Sequence, residues 1–421
     1  MSTTETPTES TEPAAEGFAI EQDPTTFAEY MRAWWVRIKA GEIGSLPIIV
    51  GLILIVIIFG SMRDTFLTER NFTNLLLQMS PTAILAIGIV WILLIAEIDL
   101  SVAYVSAVGG VIMALLIRPG DPGLPWPLAV AIALLVTTMI GFLYGQILTR
   151  LGVPSFVITL AGNLGFFGFV LILTTQWSTA GTTVIQDSFI IGLANNFLAD
   201  WLGWLLGIAI VGSFALSEYL KHRGRGTRGL TTKPVSVSAL QTLALAFVTL
   251  GSIYYANLDR GVPMATVILG FFLVFWTFVA TKTRFGRHVY AVGGNPEAAR
   301  RAGINVARLR VGIFMINGFM AGIGGIMLAS RLRSVATNSG GGALLLNVIA
   351  AAVIGGTSLF GGHGRIVSAL YGALIIASIQ NGMDLLGLNT GTKFVITGLV
   401  LLAAVTIDSL SKRGRASSGV A

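Results

Sequence analysis

Long apolar runs, separated by short polar stretches, set the pattern of this chain. Read for length, they give twelve helices of roughly membrane-crossing size, at residues 46–62, 80–98, 101–117, 127–149, 154–175, 199–217, 236–255, 261–281, 311–330, 344–359, 366–384 and 391–409. A bilayer core about 30 Å thick asks for about 20 such residues in a helix. The pattern therefore predicts an all-α, polytopic membrane protein with about 12 transmembrane helices. The tenth run, bracketed by Gly340–Gly342 and Gly355–Gly362, also fits a shorter or re-entrant element.

The polar stretches divide the rest. Residues 1–25 form an acidic segment rich in Thr, Glu, Ser and Pro, too poor in apolar residues to offset its ordering entropy, and are expected to be a disordered tail. No cleavable signal peptide is expected there, because the segment holds no Lys or Arg. Thr26 and Glu29 make a capping box that starts an amphipathic helix over 26–41. Phe27, Met31, Trp34 and Ile38 share one face, Trp35 lies beside them, and Arg32, Arg37 and Lys39 lie elsewhere, the layout of a helix in a membrane interface. The membrane domain is expected over 42–411, with an extra helix pair at 199–255, a basic region at 284–310 and a tail at 412–421. Internal similarity is faint: Gly109–Met113 resembles Gly324–Met327, and Leu143-Tyr144-Gly145 returns as Leu370-Tyr371-Gly372.

Charge adds the orientation. With both termini in the cytoplasm, most of the 27 Lys and Arg fall on inner segments, including Lys221–Lys233, Arg284–Arg310 and Lys412–Arg415. The chain of 421 residues is 54% hydrophobic and 11% charged, against about 25% charged in soluble domains. Its net charge of +7 lies between spans and does not indicate nucleic-acid binding. There is no cysteine, and His222, His288 and His363 are too scattered for a metal site. The phosphate loop G-x-x-x-x-G-K-[ST] is absent, so any ATP-driven step belongs to another chain. No cofactor, metal or catalytic residue is expected on this one.

The basic region holds a short helix with its own start and stop. Asn295 is a natural N-cap, Pro296 suits the first helical position, and Glu297 at the start with Arg300 and Arg301 at the end complement the helix dipole. Gly303 falls where a left-handed C-terminal residue belongs, and Asn305 caps the next helix. Such a helix suits docking into a groove on another protein; a charged loop is the plainer reading.

Within the spans the strongest feature is Glu97-Ile98-Asp99-Leu100-Ser101, two carboxylates where one apolar run gives way to another. A centred Asp costs about 2.5–3.5 kcal/mol on insertion scales. Asp99 capping the next helix through N–H groups near Ser101 lowers that cost. Lining a pathway, breaking a helix, or coupling to an ion through Glu97 and Asp99 are the other readings. Asn163, Asn317, Asn347, Gln380 and Asn381 are further polar positions, suited to interhelical hydrogen bonds or to sugar hydroxyls. Gly318-x-x-x-Gly322 is a close-packing pattern.

GEIGSLP with EIDLSV at 97–102, VPSFVITLAG at 153–162, the stretch 284–310, and AAVIGGTSLFGGHGR at 351–365 together resemble the permeases of bacterial ribose- and xylose-type ABC sugar importers. The resemblance covers about residues 46–409. Glu97, where that family usually has glycine, and the extra helix pair make the chain more similar to the xylose branch; Ala103 stands where the run often ends in glycine. The resemblance implies a homodimeric plasma-membrane permease for a monosaccharide such as D-xylose. It implies a separate cytoplasmic ATPase that binds ATP and Mg, and an extracytoplasmic sugar-binding protein. It implies that Asn295–Gly303, with an E-A-A-x-x-x-G pattern at Glu297, Ala298, Ala299 and Gly303, is a coupling helix whose small alanines seat in the ATPase cleft while Arg300 and Arg301 offer charge contacts. An ion-driven secondary transporter using Glu97 and Asp99 is the alternative.

Overall fold

The computed structural model describes residues 26–39, 46–120, 123–178, 180–227 and 232–417. The acidic tail expected at 1–25 lies outside these residues. In chain order the helices are α1 (Phe27–Lys39), α2 (Leu46–Met62), α3 (Glu69–Leu94), α4 (Val102–Leu116), α5 (Trp126–Leu151), α6 (Ser155–Trp177), α7 (Ser188–Asn195) and α8 (Asp200–Gly226). They continue as α9 (Val235–Asn257), α10 (Met264–Lys282), α11 (Arg284–Gly294), α12 (Pro296–Arg301), α13 (Val306–Leu332), α14 (Leu344–Ile354), α15 (Ser368–Leu385) and α16 (Thr390–Ser417). Among the described residues seven helices, α3, α5, α6, α8, α9, α10 and α13, are long and apolar enough to cross a membrane.

Several details depart from the apolar pattern; α3 covers 69–94 where 80–98 was expected, and α7 forms where no helix was expected. The stretch expected at 344–359 is helical only over the 11 residues of α14, about 16 Å long, half the thickness of a bilayer core. Gly356, at φ 99°, adopts a backbone that ends the helix. A further departure is a two-stranded antiparallel ribbon, β1 (Thr182–Val184) with β2 (Ser334–Ala336), pairing Thr182 with Ala336. Three-residue strands are too short to show the period-2 alternation from which strands are read.

Helix α13 is the pillar of the fold, packed against α3, α4 and α5. Its small residues explain why. A Cβ on Gly325 would lie 1.8 Å from the Ser106 carbonyl oxygen of α4, and one on Gly318 would lie 2.3 Å from the Thr137 oxygen of α5. Backbones this close trade side-chain area for dispersion contact along the helices, which is how apolar helices associate where lipid is as apolar as they are. One member of each of the two glycine pairs that resemble each other in sequence meets here, Gly110 against the Gly325 backbone, while Gly109 abuts Gly322. Around the pillar, Trp91 of α3 meets Trp276 of α10 edge to face at 5.6 Å.

Packing also shows an internal repetition. α13 contacts α4 and α5, while α3 contacts α14 and α15; α4 packs on α5 as α14 packs on α15. The Leu-Tyr-Gly pair falls on α5 and α15, the corresponding members. Helices α8 and α9 pack mainly on each other, α9 touches the edge of α3, and both leave large apolar side chains such as Phe247, 82% exposed, uncovered. At α1 the capping box forms as a reciprocal pair, with the Glu29 amide donating to Thr26 Oγ1 at 3.3 Å and the Thr26 amide to Glu29 Oε2 at 3.2 Å. Phe27, Met31 and Trp35 remain exposed.

Candidate functional site

Between α3 and α4 the chain leaves helical geometry with alternate residues inward: Ile95, Glu97, Asp99 and Ser101 are buried, while Ala96 and Ile98 are exposed. Ala96 takes φ 58°, a left-handed conformation that costs a non-glycine residue about 1–2 kcal/mol. Within a membrane domain the freed backbone groups at such a break need protein partners. Helix α6 provides two: the Ile98 amide donates to Ser155 Oγ at 3.2 Å and the Leu100 amide to Thr159 Oγ1 at 3.1 Å.

Asp99 is the centre of this break, only 3% exposed. Its Oδ1 accepts from both the amide and the hydroxyl of Ser101, each at 2.7 Å, and its Oδ2 accepts from Asn317 Nδ2 on α13. The carboxylate thus spans the start of α4 and the pillar. Among the described residues no cation pairs with it; neutral donors alone hold it. The other amide atom of Asn317, Oδ1, is buried with no partner.

Glu97 lies two residues earlier, 9% exposed, and forms an ion pair with Arg310 on the second turn of α13, Oε1 to Nη2 at 3.1 Å. The pair uses one guanidinium nitrogen; Arg310 Nε is buried without a partner. So the break is tied to α13 twice, at Arg310 and at Asn317.

The basic region folds as its pattern predicts. Asn295 Oδ1 accepts the amides of Glu297 at 3.0 Å and Ala298 at 2.9 Å, Gly303 is left-handed at φ 84°, and Asn305 Oδ1 accepts the Arg308 amide at 2.9 Å. Glu297 also pairs with Arg300 at 3.1 Å and Arg301 at 3.5 Å, surface contacts of small energetic weight. Ala299 is 4% exposed and faces the chain's own core, so the open side of α12 carries Asn295, Glu297, Ala298, Arg300, Arg301 and Ala302. Of the alanines here, Ala298 and Ala302 are exposed and Ala299 is not. The preceding helix α11 reaches the break directly: a Cβ on Gly293 would lie 1.9 Å from the Leu94 oxygen, and that oxygen accepts the Gly362 amide at 3.0 Å. Tyr290 of α11 donates to the Gly364 oxygen at 2.9 Å, and burial raises its phenol above the usual tyrosine range, so it stays protonated as a donor.

The remaining polar positions do not join this cluster. Asn381 exchanges two hydrogen bonds with Asn71, at 2.8 and 2.9 Å, joining α15 to α3. Asn347 is 6% exposed with an unpartnered Oδ1, Asn163 on α6 is half-buried with the same feature, and Gln380 is half-buried. Sequence reasoning did not single out Ser155, Thr159 or Arg310. Hydroxyls inside apolar runs are common, and Arg310 is one of several arginines in its stretch, so only the fold identifies their partners. Among the described residues no group of His, Asp and Glu has the geometry to hold a metal ion.

The family described as "Branched-chain amino acid transport system / permease component" matches residues 71–405. The chain is 39% identical over 383 residues to the xylose transport system permease protein XylH of Escherichia coli (strain K12), an alignment covering 89% of this chain and 94% of that protein. It is 36% identical over 381 residues to the same-named protein of Haemophilus influenzae, covering 90% and 99%. It is 30% identical over 381 residues to the ribose import permease protein RbsC of Escherichia coli (strain K12), covering 90% and 96%. No solved structure matches.

Proposed function

The chain belongs to this family of transport-system permease components, and from that membership we propose that it is the membrane subunit of an ATP-binding-cassette importer for a monosaccharide, a pentose such as D-xylose. It is a multi-pass protein of the bacterial plasma membrane and not itself an enzyme. Both termini lie in the cytoplasm, the arrangement that puts the basic stretches 221–233, 284–310 and 412–415 inside. Adding α2, α4, α14, α15 and the apolar first part of α16 to the seven helices long and apolar enough to cross a membrane gives twelve membrane-embedded segments. Two copies assemble around the path, with an ATPase below and a sugar-binding protein above.

The observation that carries the reading is the 39% identity to a xylose permease along nearly the whole chain. The geometry adds how a fuel-free subunit can be driven. α12 is a capped peg with an open face of small and charged side chains, and it leads through Ala302–Asn305 straight into the pillar α13. The pillar grips the break at 95–101, whose Glu97, Asp99 and Ser101, with Asn163, Asn347, Gln380 and Asn381, are the positions we assign to the path or to the helix breaks around it. An ATPase that closes on nucleotide moves α12, and the energy available is its differential affinity for ATP in the two states. The test is uptake of D-xylose into vesicles holding the permease, its ATPase and its binding protein. Uptake should require ATP and the ATPase and survive an uncoupler; uptake that an uncoupler abolishes with ATP present contradicts the reading.

A further inference from the structure

We infer that the Glu97–Arg310 ion pair makes the break and the pillar α13 move as one body, so that Glu97 and Arg310 are positioning residues for energy coupling. The inference rests on the importer reading above and deepens it. Arg310 stands five residues past the cap Asn305 and is the first side chain of α13 to hold the break. Seven residues further, about 10 Å along the helix, Asn317 holds it again through Asp99. A single attachment would act as a pivot. Two attachments from residues 97 and 99 remove the pivot and fix the register of the break against α13.

Several features place this contact on the route of a stroke. α12 connects to α13 through four residues, with the Ile304 amide held to the Ala299 oxygen at 3.0 Å, so a displaced α12 pulls on the first turns of α13. The break starts at Ala96, whose left-handed backbone is a strain that persists only where surroundings enforce it. Glu97 and Arg310 are mostly shielded, with side chains 11% and 28% exposed, so the contact is stronger than a pair in open water. It is also unfinished: Arg310 Nε is buried without a partner, and a small rotation would convert the single contact into the two-bond fork that carboxylates and guanidinium groups favour.

An ion pair serving only the fold predicts that its loss lowers hydrolysis and uptake together. A coupling role predicts that hydrolysis continues while import fails. The experiment measures sugar imported per ATP hydrolysed in vesicles holding the permease with its ATPase and binding protein, for the wild type, Glu97→Gln, Arg310→Gln and the reversed pair Glu97→Arg with Arg310→Glu. The single variants should lower that ratio by about tenfold, within the usual range of coupling between sites, with hydrolysis close to wild type, and the reversed pair should recover most of it. An unchanged ratio in the single variants, including one that comes from a parallel loss of uptake and hydrolysis, overturns the inference. Wild-type import without ATP would instead remove the importer reading and leave the contact itself untouched.

Discussion

Replacing Asp99 separates the roles of its charge and of its hydrogen-bond acceptors. Both Asp99→Asn and Asp99→Ala remove the charge, so their difference isolates the acceptors. In Asp99→Ala the Ser101 amide, the Ser101 hydroxyl and Asn317 Nδ2 lose their shared partner while buried, and each unsatisfied donor costs about 1–3 kcal/mol, or about 3–9 kcal/mol together. In Asp99→Asn the new amide oxygen still accepts from Ser101. Its NH2 group then faces Asn317, whose Oδ1 is unpartnered and can turn to accept it. That exchange restores the network without a carboxylate. Thermal unfolding in detergent should show Asp99→Asn close to wild type and Asp99→Ala well below it, and Asp99→Asn should keep ATP-dependent uptake. If the two variants are equally damaged, the site needs the charge itself and the hydrogen-bond reasoning is refuted. Uptake that vanishes in Asp99→Asn with the fold intact would point to ion coupling through this carboxylate.

Two further outcomes follow from the geometry. Asn295→Ala removes the one oxygen that accepts two N–H groups of a six-residue helix and should cost about 1 kcal/mol of α12 order, lowering uptake and hydrolysis stimulated by the binding protein while membrane insertion, read from the yield of folded protein, stays normal. Gly325→Ala drives a Cβ to 1.8 Å from the Ser106 oxygen and should sharply reduce folded yield, whereas Gly294→Ala, with nothing within 4 Å of its Cβ, should not; equal yields would contradict the backbone packing of α13 on α4.

The membrane class and the α12 signals were legible because each depends on local chemistry. The Asn295 cap, Pro296 and the left-handed Gly303 act within a few residues, and the structure reproduces them; of the twelve apolar runs, seven form helices long and apolar enough to cross a membrane among the described residues. Asp99 meeting the N–H of Ser101 was legible for the same reason. What escaped depends on long-range partners: Asn317 is 218 positions from Asp99, and Arg310 is more than 200 from Glu97. At 344–359 run length alone overstates the helix, and the flanking glycines gave the shorter reading: Gly355 and Gly356, followed by Thr357 and Ser358, stop it after Ile354. The inward turn of Ala299 was hidden as well, since three alanines on a short helix carry no sign of which one faces the core.

The central claim is that α12, through its open face, receives the stroke from a nucleotide-hydrolysing partner. The chain has no cysteine, so Ala298→Cys gives a single thiol on that face, ready for a photoactivatable thiol-reactive crosslinker. With the assembled transporter, the account predicts crosslinking of Cys at this position to the ATPase subunit, with a yield that changes when ATP is added. A label that never reaches the ATPase, or that reacts with a membrane-impermeant thiol reagent from outside intact cells, would contradict it.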